Sequence, residues 1–156
     1  MSQVWQPEAV ILIGLQGSGK STLYLQRFWK THVRINLDML KTRHRERTLL
    51  RACIAMQQHF VVDNTNVLLS ERAVYITAAQ AAQFRITGYF FNPDVEACIA
   101  RNAPRTGREQ VPVKGILGAA RRLQPPTLSE GFDVLYHVRV DGAGTFVVTT
   151  HNKHLR

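Results

Sequence analysis

The stretch EAVILIGLQGSGKST, residues 8–22, limits what this chain can fold into more than any other. A continuous apolar run bounded by glycine is the pattern of a strand buried on both faces of a sheet. Here the run breaks into a turn with three glycines, Gly14, Gly17 and Gly19, followed by Lys20, Ser21 and Thr22. A glycine, four residues, then Gly-Lys-Ser is the spacing of a phosphate-cradling loop. Glycines admit positive φ, so successive N–H groups can turn into one concavity. A helix starting near Lys20 adds the positive end of its dipole. Lys20 then reaches the outer phosphates, and the Ser21 hydroxyl binds the Mg2+ that travels with ATP. Leu15, Gly17, Ser18, Gly19, Lys20, Ser21 and Thr22 are the ATP-binding residues this spacing predicts.

The rest of the chain alternates between the two periodicities. Helices are predicted over 20–31, 44–59, 69–83 and 111–123, with another opening at Asn92-Pro93-Asp94 and Pro93 in its first turn. Leu49, Leu50, Cys53 and Met56 form the apolar stripe of the second, and Ser70 is the expected N-cap of the third. Strands are predicted at 33–36, 59–63 and 84–91, and VLYHVRV and TFVVTTH joined by DGAG read as an antiparallel hairpin. Alternating strands and helices argue for a three-layer α/β domain, a parallel sheet with helices on both faces, the hairpin extending one edge. At 156 residues the chain fits one domain, 1–156.

Ligands of such sheets sit beyond the carboxyl ends of the strands. The second strand ends in RINLD, which puts Asp38 near the cradle mouth. A carboxylate there can take the proton of an attacking hydroxyl, or it can cap the helix that follows. The third strand ends in VVDNTN, where Asp63 suits the metal shell, with an Asx-turn as the plain alternative. No guanine-specifying Asn-Lys-x-Asp stretch follows.

GLQGSGKST, INLD, VVDNTN with SER, RNAPR before VP, and PPTLSEGF together resemble the kinase domain of polynucleotide 5′-hydroxyl kinases, among the P-loop, AAA-type ATP-binding kinase-like proteins. The resemblance runs from residue 9 to about 135. It implies a P-loop kinase fold with a central parallel sheet ordered 2-3-1-4-5. It implies three catalytic residues: Asp38 as general base toward a 5′-hydroxyl, with Lys20 and Arg105 stabilising the transferring charge. Arg101 and Arg105 would contact the donor phosphates from a lid at about 101–115, and Ser21 and Asp63 would serve the metal. Some members carry arginine three residues after the aspartate to grip the acceptor phosphate. Here that position is Lys41, which lacks the bidentate fork. Lys41, Arg43 and Asn64 are assigned to the acceptor, with the basic run KTRHRER following Asp38.

Charge agrees with such a partner. Twenty Lys and Arg against eleven Asp and Glu give +9, and fifteen of the cations are arginine. Aromatics are scattered, so a nucleic acid 5′ end would be held through phosphates rather than by stacking. Arg101, Arg105, Arg108 and Lys114 punctuate the lid. Cys53 and Cys98 read as buried free thiols, Tyr24, Phe28 and Trp29 as packing, and His32, His59 and His137 as structural or surface residues. No apolar run is long enough to span a bilayer and no secretory start appears, so a cytoplasmic protein is expected. A small-molecule kinase acting on a sugar, antibiotic or nucleotide, and a non-catalytic ATP-binding module, remain the alternative readings.

Overall fold

In the computed structural model, which describes residues 4–107 and 110–151, the apolar run becomes β1 (Glu8–Ile13), where Ala9 to Ile13 are all fully buried. It is central, paired in parallel with β3 (Phe60–Asp63) on one side and β4 (Arg85–Phe91) on the other. β2 (Val33–Ile35) lies outside β3, and β5 (Val134–Val140) runs parallel to β4. β6 (Phe146–Thr150) closes the edge antiparallel to β5, so the order is β2-β3-β1-β4-β5-β6. The expected 2-3-1-4-5 order and the terminal hairpin are both present.

Side-chain alternation in β1 splits the core in two. Ala9, Ile11 and Ile13 face Leu50 and Cys53 of α3 (Arg43–Met56) and Tyr75, Ile76 and Ala79 of α4 (Leu69–Ala81). Val10 and Leu12 face Leu23 of α1 (Lys20–Arg27) and Phe28. The layers are thus α3 and α4, the sheet, then α1. A third cluster joins Leu15 and Val67 to α5 (Val95–Asn102) and α6 (Val113–Arg122) through Cys98, Ile116 and Ala119. These two helices pack on the loops that leave the sheet.

Several local expectations are corrected. The first helix stops at Arg27, and Trp29 is 59% exposed; Met56 is 64% exposed and does not belong to the α3 core stripe. A short helix, α2 (Leu37–Leu40), precedes α3. α4 begins from Leu68, whose N–H donates to the Glu71 carboxylate at 3.1 Å, so Ser70 is not its cap. Asp94 caps α5 by accepting from Ala97 N–H at 3.1 Å, which leaves Pro93 outside the first turn. Both cysteines are buried and free. Among the described residues no helix is long and apolar enough to cross a membrane.

Candidate active site

The loop between β1 and α1 has the shape its glycines permit. Gly17 (φ 80°) and Gly19 (φ 101°) are left-handed, and any β-carbon there would strike a neighbour: at Gly17 the Cys98 carbonyl oxygen, 2.5 Å away, and at Gly19 the Phe146 ring, 2.9 Å away. Cations occupy the loop's outward carbonyls. Lys20 Nζ donates to the Gly14 and Leu15 carbonyls at 2.9 and 2.8 Å, and Arg101 donates to the Gly17 carbonyl at 3.0 Å. Leu15 itself turns its side chain into the third core cluster, so only its backbone faces the loop. Ser18 Oγ and Gln16 Oε1 are buried with no partner among the described residues. Buried hydroxyls normally find one; the Ser18 hydroxyl sits 2.7 Å from where a β-carbon at Gly14 would stand, so the loop closes tightly over that glycine.

Lys20 is 9% exposed, and burial pushes its ammonium down to about 8 against the pull of Asp63. The Cys98 thiol, the Arg105 guanidinium and the Asp38 carboxyl act on it more weakly. Lys20 is thus within electrostatic reach of Asp63 and Asp38, from the connections that follow β3 and β2, and of Arg105, from the segment between α5 and α6.

Asp63 is 2% exposed at the end of β3 and accepts from the Ser21 hydroxyl at 2.9 Å. Arg34 donates its Nε to the same carboxylate oxygen at 2.9 Å and a terminal nitrogen to Ser21 Oγ at 3.2 Å. Two hard oxygen groups side by side suit Mg2+. A guanidinium already lies against both of them. Sequence reasoning missed Arg34; the signal was strand alternation, which turns Arg34 away from buried Ile35 toward α1, across the Tyr24 ring.

Asp38 is exposed in the first turn of α2. The cap is Asn36, whose side-chain oxygen accepts from Met39 N–H at 2.9 Å. Among the described residues nothing hydrogen-bonds the Asp38 carboxylate, so capping does not explain it. Asn36 also donates to the Asp63 backbone carbonyl, tying the second strand end to the third. Thr22 is exposed on α1.

The residues assigned to the acceptor lie apart in role. Lys41 is exposed at the end of α2 with φ 74°. Asn64 accepts from Leu37 N–H at 2.9 Å and donates to Glu46 at 3.1 Å. Arg43 donates to Glu46 at 2.9 Å, as does the Tyr75 hydroxyl at 2.7 Å. Burial and this Glu46 carboxylate push the Tyr75 phenol upward. Asn64 and Arg43 are thus engaged with a carboxylate only 3% exposed, and through Leu37 the network fixes the helix that carries Asp38.

The segment after α5 is clasped at its base. Buried Asn102 donates to the Val111 carbonyl and accepts from Val111 N–H at 2.9 Å, which ties the end of α5 to the residues before α6, and Arg105 just beyond Asn102 is exposed. Arg108, expected on the same segment, lies outside the described residues. SER and PPTLSEGF meet as well. Arg72, fully buried, forks onto Glu130 at 2.8 and 3.1 Å and donates to the Asn66 and Val67 carbonyls.

A parallel sheet opening into a glycine loop, with α5 and α6 over that loop, defines a P-loop nucleotide-binding domain of the kinase type. The chain belongs to the AAA domain family, whose sequence pattern matches residues 38–126, starting at Asp38 and downstream of the glycine loop. It is 30% identical over 129 residues, 80% of its length, to the bifunctional polynucleotide phosphatase/kinase of Schizosaccharomyces pombe (strain 972 / ATCC 24843). It spans only 32% of that relative. Among solved structures it resembles a gluconokinase from Sinorhizobium meliloti 1021 (TM-score 0.61, 18% identity, 85% of this chain and 82% of that one). It also resembles Chaetomium thermophilum Kti12 in complex with ADP-AlF3 (TM-score 0.63, 17% identity, 87% and 92%). A third likeness is to a chain of the Pnkp1/Rnl/Hen1 RNA repair complex (TM-score 0.64, 22% identity, 99% and 52%). At these identities the structural likenesses establish the fold.

Proposed function

We propose that this chain is an ATP- and Mg2+-dependent kinase that phosphorylates the 5′-hydroxyl end of RNA or DNA, acting as a single domain whose 101–115 segment is a lid. The observation that carries the reading is the Asp38 carboxylate: relieved of capping by Asn36, without a partner among the described residues, and close enough to act on Lys20. Such a group can accept the proton of an attacking hydroxyl at its carboxylate oxygen. Lys20 and Arg105 then offset the charge on the transferring phosphoryl group, the loop N–H groups hold the donor phosphates, and Arg101 follows Arg105 at the donor. Ser21 and Asp63 would hold Mg2+, which supplies neutralisation of phosphate charge. Closure of the 101–115 segment would exclude water and favour the bound alcohol as nucleophile. Lys41 would meet the acceptor phosphate as a point charge, with Arg43 beside it and Asn64 steadying α2.

The polynucleotide acceptor is supported by the similarity to a polynucleotide phosphatase/kinase and by the +9 charge. The fold is shared with a gluconokinase, so sugars belong in any test. Incubation with γ-labelled ATP, Mg2+ and a panel of 5′-hydroxyl oligonucleotides, nucleosides, sugars and antibiotics should label the oligonucleotides preferentially. Asp38→Ala should lower transfer by at least about a hundredfold, the usual share of a positioned acid or base, while ATP affinity is kept. Retained turnover in that variant refutes the assignment of the base.

A further inference from the structure

α3 carries arginines at 43, 47 and 51, four residues apart and therefore on one stripe of the helix. The rise of an α-helix spaces them by about 6 Å, about 12 Å from first to last. The stripe begins next to α2, which bears Asp38, and runs away from the cleft along the edge facing α4. Arg43 is matched by Glu46. Arg47 and Arg51 are exposed and have no carboxylate partner among the described residues.

Between these two arginines and α4 lies a groove of about 360 Å³ with an apolar floor of Leu50, Ile54, Val74 and Ala78. Val74 is 50% exposed although it sits mid-helix. A cationic rim over an apolar floor suits a ligand that repeats an anion beside a flat, poorly hydrated body. A nucleotide has that chemistry, the phosphate for the rim and the base for the floor. The basic stripe leads directly out of the proposed acceptor end, which favours a strand over an acidic protein helix.

We propose that the α3–α4 groove binds the nucleotides downstream of the 5′ end in a single-stranded acceptor, with Arg47 and Arg51 on successive phosphates and a base against Val74 and Ile54. This rests on the polynucleotide reading above and deepens it: the chain selects a strand of several nucleotides over a dinucleotide by contacts remote from the chemistry.

The test is fluorescence anisotropy with 3′-labelled, 5′-hydroxyl oligonucleotides of two and eight nucleotides over a salt series. The wild-type chain, R47A/R51A and V74D are compared, with circular dichroism to check folding and light scattering to check mass. R47A/R51A should flatten the salt dependence of octanucleotide binding by about 1.4 in log–log slope, two phosphates at about 0.7 each for single strands. Dinucleotide binding and ATP affinity should not change, and V74D should weaken the octanucleotide alone. An unchanged slope in R47A/R51A overturns the proposal, as does equal weakening of both lengths or failure of the wild type to bind any oligonucleotide. A wild-type dimer split by R47A/R51A also overturns it, assigning the groove to a second copy. If the octanucleotide binds through the two arginines but takes no label from ATP, the groove stands and the kinase reading falls.

Discussion

Replacing Arg72 by methionine should be strongly destabilising, and its magnitude can be worked from its contacts. The side chain is fully buried, its fork is bidentate to Glu130, whose own side chain is 6% exposed, and a third nitrogen serves two backbone carbonyls. Methionine fills much of the space but leaves the Glu130 carboxylate with the Thr127 N–H as its remaining described donor. Removing one member of a buried pair costs about 3–5 kcal/mol, because the other charge stays behind uncompensated. For a chain of this size that is a fall in Tm of roughly 6–20 °C, at about 2–4 °C per kcal/mol. The double variant R72M/E130L removes both charges and should recover part of the loss. It should remain about 1–3 kcal/mol below wild type, because the Asn66 and Val67 carbonyls lose their donor. Calorimetry or thermal circular dichroism on R72M, E130L and the double variant reads this directly. A cost under about 1 kcal/mol for R72M, or a double variant as damaged as the sum of the singles, would refute the reasoning that an ion pair fastens the two motifs together.

Two further outcomes follow from the described contacts. Arg34→Ala removes a cation held 2.8 Å from Asp63 and should tighten divalent binding, read with Mn2+ by paramagnetic resonance in the presence of ADP, by up to about fivefold, the range of a partly exposed pair; unchanged or weaker binding contradicts a guanidinium competing with the metal. His59 accepts the Glu8 N–H on Nδ1 at 2.8 Å and stacks on His32 at 4.8 Å. Burial, then the His32 charge, hold it below the ordinary 6.5, against the pull of Glu8. The unfolded chain therefore binds the proton more readily, and stability should fall as pH drops below about 6.5 toward the folded value. His59→Asn should show a smaller loss between pH 7 and 5.5 in urea titrations, and an identical pH profile in that variant would remove His59 as the cause.

The sheet and the glycine loop were legible because they obey short-range rules: β1 is apolar at every position after Glu8, and a Gly-Lys-Ser turn after a strand has few other uses. The corrections arose where a local pattern met a competing partner. Ser70 has the right chemistry for a cap, but the Glu71 carboxylate reaches the Leu68 N–H instead. Met56 continues the α3 spacing, yet the helix ends there and its last turn leaves the core. α2 is four residues long, too short for any periodicity to announce it. At the site, Asp38, Asp63 and Lys20 were visible as strand-end and loop residues. Arg34 was hidden inside a three-residue strand, and the meeting of Arg72 with Glu130 bridges 58 residues of sequence, beyond the reach of spacing. The Glu46 network was equally hidden, since a buried glutamate on a basic helix reads as a surface charge until Tyr75 and Asn64 converge on it.

The β-carbon positions at Gly17 and Gly19 abut the α5 backbone and the Phe146 ring. The curvature of the phosphate loop is thus held in place by segments synthesised long after it. A nascent chain carrying only the first strand and helix has the motif without its mould. Nucleotide affinity should accordingly be among the last properties the folding chain acquires, arriving when the antiparallel edge strand docks.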